Sequence, residues 1–189
     1  MTATPATLYL FAVKIYRAAA MDQPANPIIE ERVTARVDSD EFIVFLIGMR
    51  VNKPWKIHKW LPVARAMARM LKELEAHREL GLRHVESWGG RTSIMVQYWD
   101  SFEALETYAT AKTSEHLPAW GEFNKAVGSN GDVGIWHETY RVRPGDFECV
   151  YHNMPRFGLS RAFATIPASG AYARAAGRMK EAAQRAATA

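Results

Sequence analysis

Cysteine is nearly absent from this sequence, with a single residue, Cys149, in a chain of 189. One thiol cannot form an intrachain disulfide, and it cannot supply a zinc site built from cysteines. We therefore expect a reducing, cytoplasmic setting. Long apolar runs are missing too. No stretch approaches the roughly 20 apolar residues of a membrane-spanning helix, so we expect no membrane span.

Excess positive charge is confined to one end of the chain. Lys and Arg total 24, and Asp and Glu total 20, which gives a net charge of +4. Residues 156–189 hold six basic side chains and one acidic side chain, so residues 1–155 have a net charge of −1. A nucleic-acid-binding domain needs a basic stripe on its folded surface, with aromatic side chains beside it. An Ala/Arg-rich tail does not provide one, and we expect no nucleic-acid partner.

Composition divides the chain into three segments. Residues 1–40 have scattered prolines and no sustained hydrophobic period, and we interpret them as an N-terminal arm. Residues 41–152 contain the apolar and amphipathic runs of a folded domain. Residues 153–189 begin with a stretch punctuated by proline and glycine and end in an Ala-rich stretch, which predicts a partly helical C-terminal extension.

The middle segment has the element order β-α-β-β-α-β. Runs rich in β-branched and aromatic residues predict strands, and apolar residues three and four apart predict helices. The second and third strands are separated by Gly89 and Gly90, which indicates a hairpin. The predicted strands are residues 41–51, 82–88, 91–99 and 133–142, with 147–151 as a short edge strand, and the predicted helices begin near Pro62, Ser101 and Thr113. This order predicts an α+β, ferredoxin-like fold.

The first strand has no polar face. The sequence EFIVFLIGMRV at residues 41–51 places apolar side chains on both sides of the strand. Helices cover only one face of a ferredoxin-like sheet, so a second layer must cover the other. We expect a second subunit to do so, sheet against sheet, which predicts a homodimer with a cavity enclosed between the sheets, a dimeric α+β barrel.

The chain lacks a standard catalytic or metal-binding motif, such as a Gly-rich phosphate loop, a Gly-x-Ser-x-Gly elbow or a His-Glu-x-x-His helix, so we predict no metal site. The candidates lie instead along the third and fourth strands. In the third strand, we assign to the helix-packing face Ile94, Val96 and Tyr98. The alternate side chains would then line the cavity, and they are Met95, Gln97 and Trp99. Gln97 would supply one aimed hydrogen bond. The alternative is that these are half-exposed residues of an open sheet.

His137, in the fourth strand, is the first catalytic candidate. A neutral imidazole can act as a general base, or it can ligate a metal or haem iron. The alternative is a core histidine with a structural hydrogen bond. The remaining candidates would contact a substrate, or else serve as caps, core or surface residues: Arg91, His116, Trp120 and Asn124.

Several stretches carry a resemblance to a known family. They are residues 42–50, 52–56, 98–103, 116–120, 123–124, 134–140 and 153–155. They include YWDSFE, HLPAW and GIWHETY, and they lie between about Arg32 and Leu159. Together they resemble the fumagillin-pathway monooxygenase-like family, a branch of the antibiotic-biosynthesis monooxygenase superfamily of dimeric α+β barrels.

This resemblance implies an oxygenase that acts on an apolar small molecule, polyketide-like or fatty-acyl-like. It also implies that no metal or flavin is needed, because the anion of the substrate itself reacts with oxygen. On this hypothesis His137 is the base or donor, and Gln97 and Asn124 are its polar catalytic partners. The substrate-binding residues are then Arg91, Met95, Trp99, His116 and Trp120.

Two other functions stay open at this point. One is a haem-dependent enzyme or haem-binding protein of the same fold, with His137 as the iron ligand. The aldoxime dehydratases are such a branch, but they have a longer chain with two repeats. The other is a non-catalytic module that binds a small hydrophobic molecule.

Overall fold

The computed structural model of the chain describes residues 26–111, 121 and 130–187. The strands are β1 (Val33–Arg36), β2 (Phe42–Val51), β3 (Leu82–Trp88), β4 (Ile94–Trp99), β5 (Val133–Val142) and β6 (Ala164–Pro167). The helices are α1 (Ile57–Ala76), α2 (Phe102–Thr110), α3 (Leu159–Ala162) and α4 (Ala175–Ala186), with 3₁₀ turns at Arg78–Leu80 and Gly170–Tyr172. Within these ranges, no helix is both long enough and apolar enough to cross a membrane. The helix predicted from Thr113 lies outside the described residues.

The main sheet is antiparallel, with the strand order β3-β4-β2-β5. The first strand of the predicted unit, β2, therefore lies at the centre, between β4 and β5. Helices α1 and α2 follow β2 and β4 along the chain. This is the split β-α-β arrangement, and the predicted α+β, ferredoxin-like fold is confirmed.

Helix α1 covers one face of the main sheet. It begins at Ile57, five residues before Pro62, so the predicted start at the proline was wrong. The backbone N–H of Lys56 bonds to the carbonyl of Lys53 at 3.0 Å, and turns the chain into the helix ahead of the proline. Pro62 costs one interior helical hydrogen bond. Burial offsets this cost, because α1 buries the side chains Trp60, Val63, Met67, Leu71 and Leu74.

The two ends of the described chain cover part of the other face. β1 pairs antiparallel with β6, from Val33 opposite Pro167 to Arg36 opposite Ala164. Beside this small sheet, the ring of Phe42 is 1% exposed. The rings of Phe147 and Phe163 meet it edge-on, each with a centroid distance of 5.2 Å. Such pairs contribute about 0.5–1.5 kcal/mol each beyond the area that they bury. The arm and the extension thus pack on β2.

The side chains of β4 face in the directions opposite to the predicted ones. Met95 and Trp99 are 2% and 1% exposed and pack beneath the helices. Tyr98 packs on the other face, in the cluster that contains Phe42 and Phe163. Apolarity cannot distinguish the two faces, because the arm and the extension require apolar partners just as the helices do.

Residues 147–151 do not form the predicted edge strand. Only Tyr151 makes a β-bridge, with Val33, through two backbone hydrogen bonds of 2.9 Å. The nearby N–H of Ala35 donates to Cys149 Sγ at 3.3 Å. The sulfur of Cys149 thus accepts the hydrogen bond that a backbone carbonyl would accept in a β-ladder. The strand pairing therefore ends at the single bridge of Tyr151.

An ion cluster around the buried carboxylate of Asp132 joins the ends of β2, α1 and β5. The side chain of Asp132 is 2% exposed, and its carboxylate lies 2.7 Å from Lys53 Nζ and 2.8 Å from Lys56 Nζ. Hydrogen bonds from Lys53 and Lys56 hold the pKa of Asp132 below its ordinary value. The carboxylate therefore stays charged, and it fixes the start of β5 against the loop that leads into α1.

Gly48 is a position in β2 where only glycine fits. A Cβ atom at Gly48 would lie 2.0 Å from the carbonyl oxygen of Ser93 and 2.8 Å from Trp136 Nε1. At Gly134 in β5, the nearest atom to an added Cβ would be Arg50 Cβ, at 3.8 Å. The two strand glycines thus differ in available space.

We predict that Gly48→Ala lowers the free energy of unfolding by at least about 1–3 kcal/mol, the usual cost of overpacking. Its matched control, Gly134→Ala, should change stability by less than about 1 kcal/mol, because the site has room. Urea denaturation of both variants measures the difference. Equal stability of the two variants would contradict the close approach of Gly48 to the backbone carbonyl of Ser93.

Candidate functional site

An apolar cavity of about 60 Å³ lies between the main sheet and helices α1 and α2. It is lined by Phe45 and Ile47 from β2, Met95, Gln97 and Trp99 from β4, Met67, Met70, Leu71 and Leu74 from α1, and Leu105, Tyr108 and Ala109 from α2. Met95, Gln97 and Trp99 therefore line a cavity under the helices, and the prediction that they face a space between two sheets was wrong.

The pairing of β2 with β4 brings their side chains together at the floor of the cavity. Ile47 lies opposite Met95, and Phe45 lies opposite Gln97. Side chains opposite each other on neighbouring strands project from the same face of a sheet. One amide is thus surrounded by apolar neighbours, a composition typical of pockets that orient a small ligand.

The side chain of Gln97 has a fixed orientation. Trp99 Nε1 donates to Gln97 Oε1 at 2.9 Å, and both side chains are buried. An indole N–H can only donate, so the amide oxygen must face it and the amide NH₂ must face away. Among the described residues, no hydrogen bond from that NH₂ group is found. Gln97 therefore presents a donor at the cavity wall.

Tyr108 closes the other side of the cavity, on α2. Ser101 Oγ accepts the N–H of Ala104 at 3.1 Å, and this N-cap sets the start of the helix. Tyr108 Oη donates to Glu73 Oε2 on α1 at 2.8 Å, and its ring lies 5.8 Å from that of Trp99. The two helices are therefore linked across the top of the cavity, and the Tyr108 ring is held against Trp99.

Three methionines give the cavity an adaptable wall. Met67 and Met70 approach from α1, and Met95 approaches from β4. Unbranched thioether side chains change rotamer at low cost and fit irregular shapes. A ligand larger than the resting volume of about 60 Å³ requires these side chains to change rotamer.

His137 lies on the cavity face of the sheet but outside the cavity. Ile47 pairs with both Met95 and His137, which places the histidine on β5, two strands from β4. Its ring centroid is 5.7 Å from that of Phe45, and its side chain is exposed. The backbones of His137 and Gln97 are therefore at least two strand spacings, about 10 Å, apart.

Arg91, another predicted substrate contact, lies away from the cavity. Its guanidinium donates at 3.4 Å to the backbone carbonyls of Val51 and Asn52, where β2 ends. It is a surface residue that ties the turn before β4 to β2. Three further candidates lie outside the described residues: His116, Trp120 and Asn124.

Sequence reasoning missed Phe45, Tyr108 and Glu73 as residues of the site. Tyr108 is part of the apolar stripe of α2, and this stripe is visible in the sequence. Its bond to Glu73 joins two helices, so no spacing within either helix predicts it. Within the described ranges, no group of three or more His, Cys, Asp or Glu side chains is placed to hold a metal ion.

Two comparisons connect this site to known proteins. The family model described as Monooxygenase af470-like matches residues 42–159. Monooxygenase af470 of Aspergillus fumigatus is 28% identical to the chain over 128 residues, covering 63% of the chain and 45% of the relative. The chain thus matches less than half the length of that relative. The family match includes β2 to β5 and so the whole cavity floor.

We predict that Gln97→Met lowers the free energy of unfolding by about 1–3 kcal/mol, because it leaves the buried indole N–H of Trp99 without an acceptor. In a Trp99→Phe background the same substitution should cost at least about 1 kcal/mol less, because no N–H remains to be paired. Urea denaturation of the two single variants and the double variant measures this coupling. Additive effects would contradict the Gln97–Trp99 bond.

Proposed function

The chain belongs to the Monooxygenase af470-like family, and on that premise we propose that it is a monooxygenase for an apolar small molecule. The observation that supports this most is the apolar cavity with a single oriented donor, Gln97. An apolar wall binds a hydrophobic substrate and excludes water, and the amide NH₂ can select a carbonyl group.

The proposed reaction needs no cofactor. A substrate with an activated CH₂ next to an aromatic carbonyl loses a proton to give an enolate, which reacts with O₂. One oxygen atom converts the CH₂ to a carbonyl and the other leaves as water, so the atoms and electrons balance without an added reductant. A polyketide-like substrate carries such a group.

Two described side chains have proposed roles in this reaction. The NH₂ of Gln97 donates to the enolate oxygen and stabilises the negative charge as it develops. His137 is the proposed base at the β5 side of the same sheet face. Because the acidic CH₂ is bonded directly to the carbonyl carbon, the side chains of His137 and Gln97 must reach the same end of the substrate across the two strand spacings, about 10 Å, that separate their backbones. Met95 and Trp99 contact its apolar part. We also propose that Asn124 is a second polar partner in the reaction and that His116 and Trp120 contact the substrate.

We predict that Gln97→Met lowers kcat/KM by about 100-fold or more, because one donor to the oxyanion is lost. His137→Ala should lower it by about 100-fold to 10,000-fold through loss of the base. The matched control is Thr139→Ser, on the same strand and the same face as His137, which should stay within about twofold of the wild type. The measurement is oxygen uptake with a panel of enolisable aromatic compounds.

Two outcomes of that assay would count against the proposal. If no compound supports oxygen uptake yet one is retained by the protein, the chain is a binding module. If a compound is oxidised but both variants keep full activity, the reaction takes place elsewhere. A haem enzyme would instead show a Soret band after haem addition.

We also propose that the protein is a homodimer. The face of the sheet opposite α1 keeps exposed aromatic side chains beyond the area that the arm and extension cover. Trp88 is 43% exposed and Tyr140 is 49% exposed, and Leu46 and Val96 between them are partly exposed. A second copy packed sheet against sheet covers this surface.

We predict that sedimentation equilibrium gives twice the chain mass for the wild type. Val96→Arg should shift the protein to a monomer, because the new charge would be buried in the interface. The control Thr107→Arg adds the same single charge on the exposed side of α2 and should stay dimeric. A wild-type monomer at high concentration would contradict the proposed dimer.

A further inference from the structure

Four arginines line an open cleft on the side of the sheet opposite the cavity. The cleft has a volume of about 570 Å³ and lies between the arm, β3 and the C-terminal extension. Its charged and polar lining side chains are Arg36, Asp38, Ser39, Arg83, Arg156 and Arg161. We refer to it as the arginine cleft. It contains two of the basic residues of the C-terminal segment, which the proposed oxygenase reaction does not use.

A β-bulge places Arg83 at the arginine cleft. Leu82 pairs with Trp99 and His84 pairs with Tyr98, so Arg83 is an extra residue without a partner on β4. A bulge of this kind redirects the side chain of the extra residue. The guanidinium of Arg83 lies 4.6 Å from the ring centroid of Phe163, which forms the base of the cleft.

The extension holds Arg156 at the opposite side of the cleft. Asn26 forms two hydrogen bonds with the backbone of Arg156: Nδ2 donates to its carbonyl at 2.8 Å, and Oδ1 accepts its N–H at 3.1 Å. Arg156 Nη2 donates to Thr165 Oγ1 at 3.3 Å. Asn26 therefore fixes the backbone at Arg156, and Thr165 holds its guanidinium; neither partner carries a charge.

The cleft has more arginine side chains than carboxylates paired with them. Arg36 pairs with Asp38 at 2.7 Å, and Arg83 contacts Asp100. Within the described ranges, Arg156 and Arg161 have no carboxylate oxygen within ion-pair distance, although Arg161 interacts at longer range with Glu86.

Ser39 adds an unused hydroxyl group. Its Oγ atom is buried and has no hydrogen-bond partner within the described residues. A buried polar atom without a partner costs free energy, and a ligand recovers that cost when the Ser39 side chain turns its hydroxyl toward the cleft. Two guanidinium groups without a directly paired carboxylate and one hydroxyl group thus share the cleft.

We propose that the arginine cleft binds a phosphate group, either as free orthophosphate or as the phosphate monoester end of a larger ligand. Arg156 and Arg161 each present a planar fork of N–H donors, which matches the oxygens of a phosphate dianion. A carboxylate has a single charge and two oxygens, and it would leave part of this donor set unpaired. The site is distinct from the cavity, because the main sheet lies between them.

Isothermal titration calorimetry of the full chain at low salt tests this proposal with three probes: inorganic phosphate, methyl phosphate and acetate. We expect one saturable phosphate site per chain and acetate binding at least tenfold weaker. The double variant Arg156→Gln/Arg161→Gln should bind phosphate at least tenfold more weakly. The control double variant Arg65→Gln/Lys72→Gln removes the same charge from exposed positions of α1 and should bind within twofold of the wild type.

The outcomes separate the two phosphate sources. Binding of both phosphate probes shows that the site accepts the end of a phosphate monoester, and binding of inorganic phosphate alone restricts the ligand to free phosphate. If the arginine double variant unfolds, Ser39→Ala replaces it and should weaken binding at least threefold. Heat that does not saturate, equally tight acetate binding, or the same loss of affinity in the control variant would overturn the proposal.

Discussion

Strand β2 has apolar side chains on both of its faces, and this requires a packed layer on each side of the main sheet. This ten-residue strand is the centre of the sheet, and Phe42 and Ile43 project to opposite faces with 1% and 0% exposure. Each large apolar side chain buried in this way contributes about 1.5–3 kcal/mol. Both faces must therefore be covered, one by α1 and α2 and the other, in part, by the arm and the extension.

Covering the two faces with different layers produces two different environments. Long helices pack over Met95 and Trp99, and their side chains leave an apolar cavity with one amide. The arm and the extension are short segments with many charged side chains, and they meet β3 at an open, arginine-rich cleft. One sheet thus separates an apolar cavity, where we place oxygen chemistry, from a charged cleft, where we place phosphate binding.

The sequence was sufficient to predict strands β2 to β5, because hydrophobic period and the Gly89-Gly90 hairpin are local signals. It also grouped Met95, Gln97 and Trp99 correctly, since alternation determines which side chains share a face. Alternation does not say which face meets the helices, and that assignment was wrong. The Trp99–Gln97 bond and the bulge at Arg83 depend on contacts between neighbours in space. The catalytic roles of Gln97 and His137 remain predictions.

The proposed binding of the substrate in the cavity is tested by a crystal structure with a bound, unreactive analogue of an enolisable aromatic substrate. The account predicts that the ligand lies between β4 and the two helices, with its carbonyl oxygen within hydrogen-bonding distance of Gln97 Nε2. It also predicts that Met67 and Met70 change rotamer to enlarge the cavity. A ligand bound on the opposite face, against Leu46 and Val96, would contradict the account.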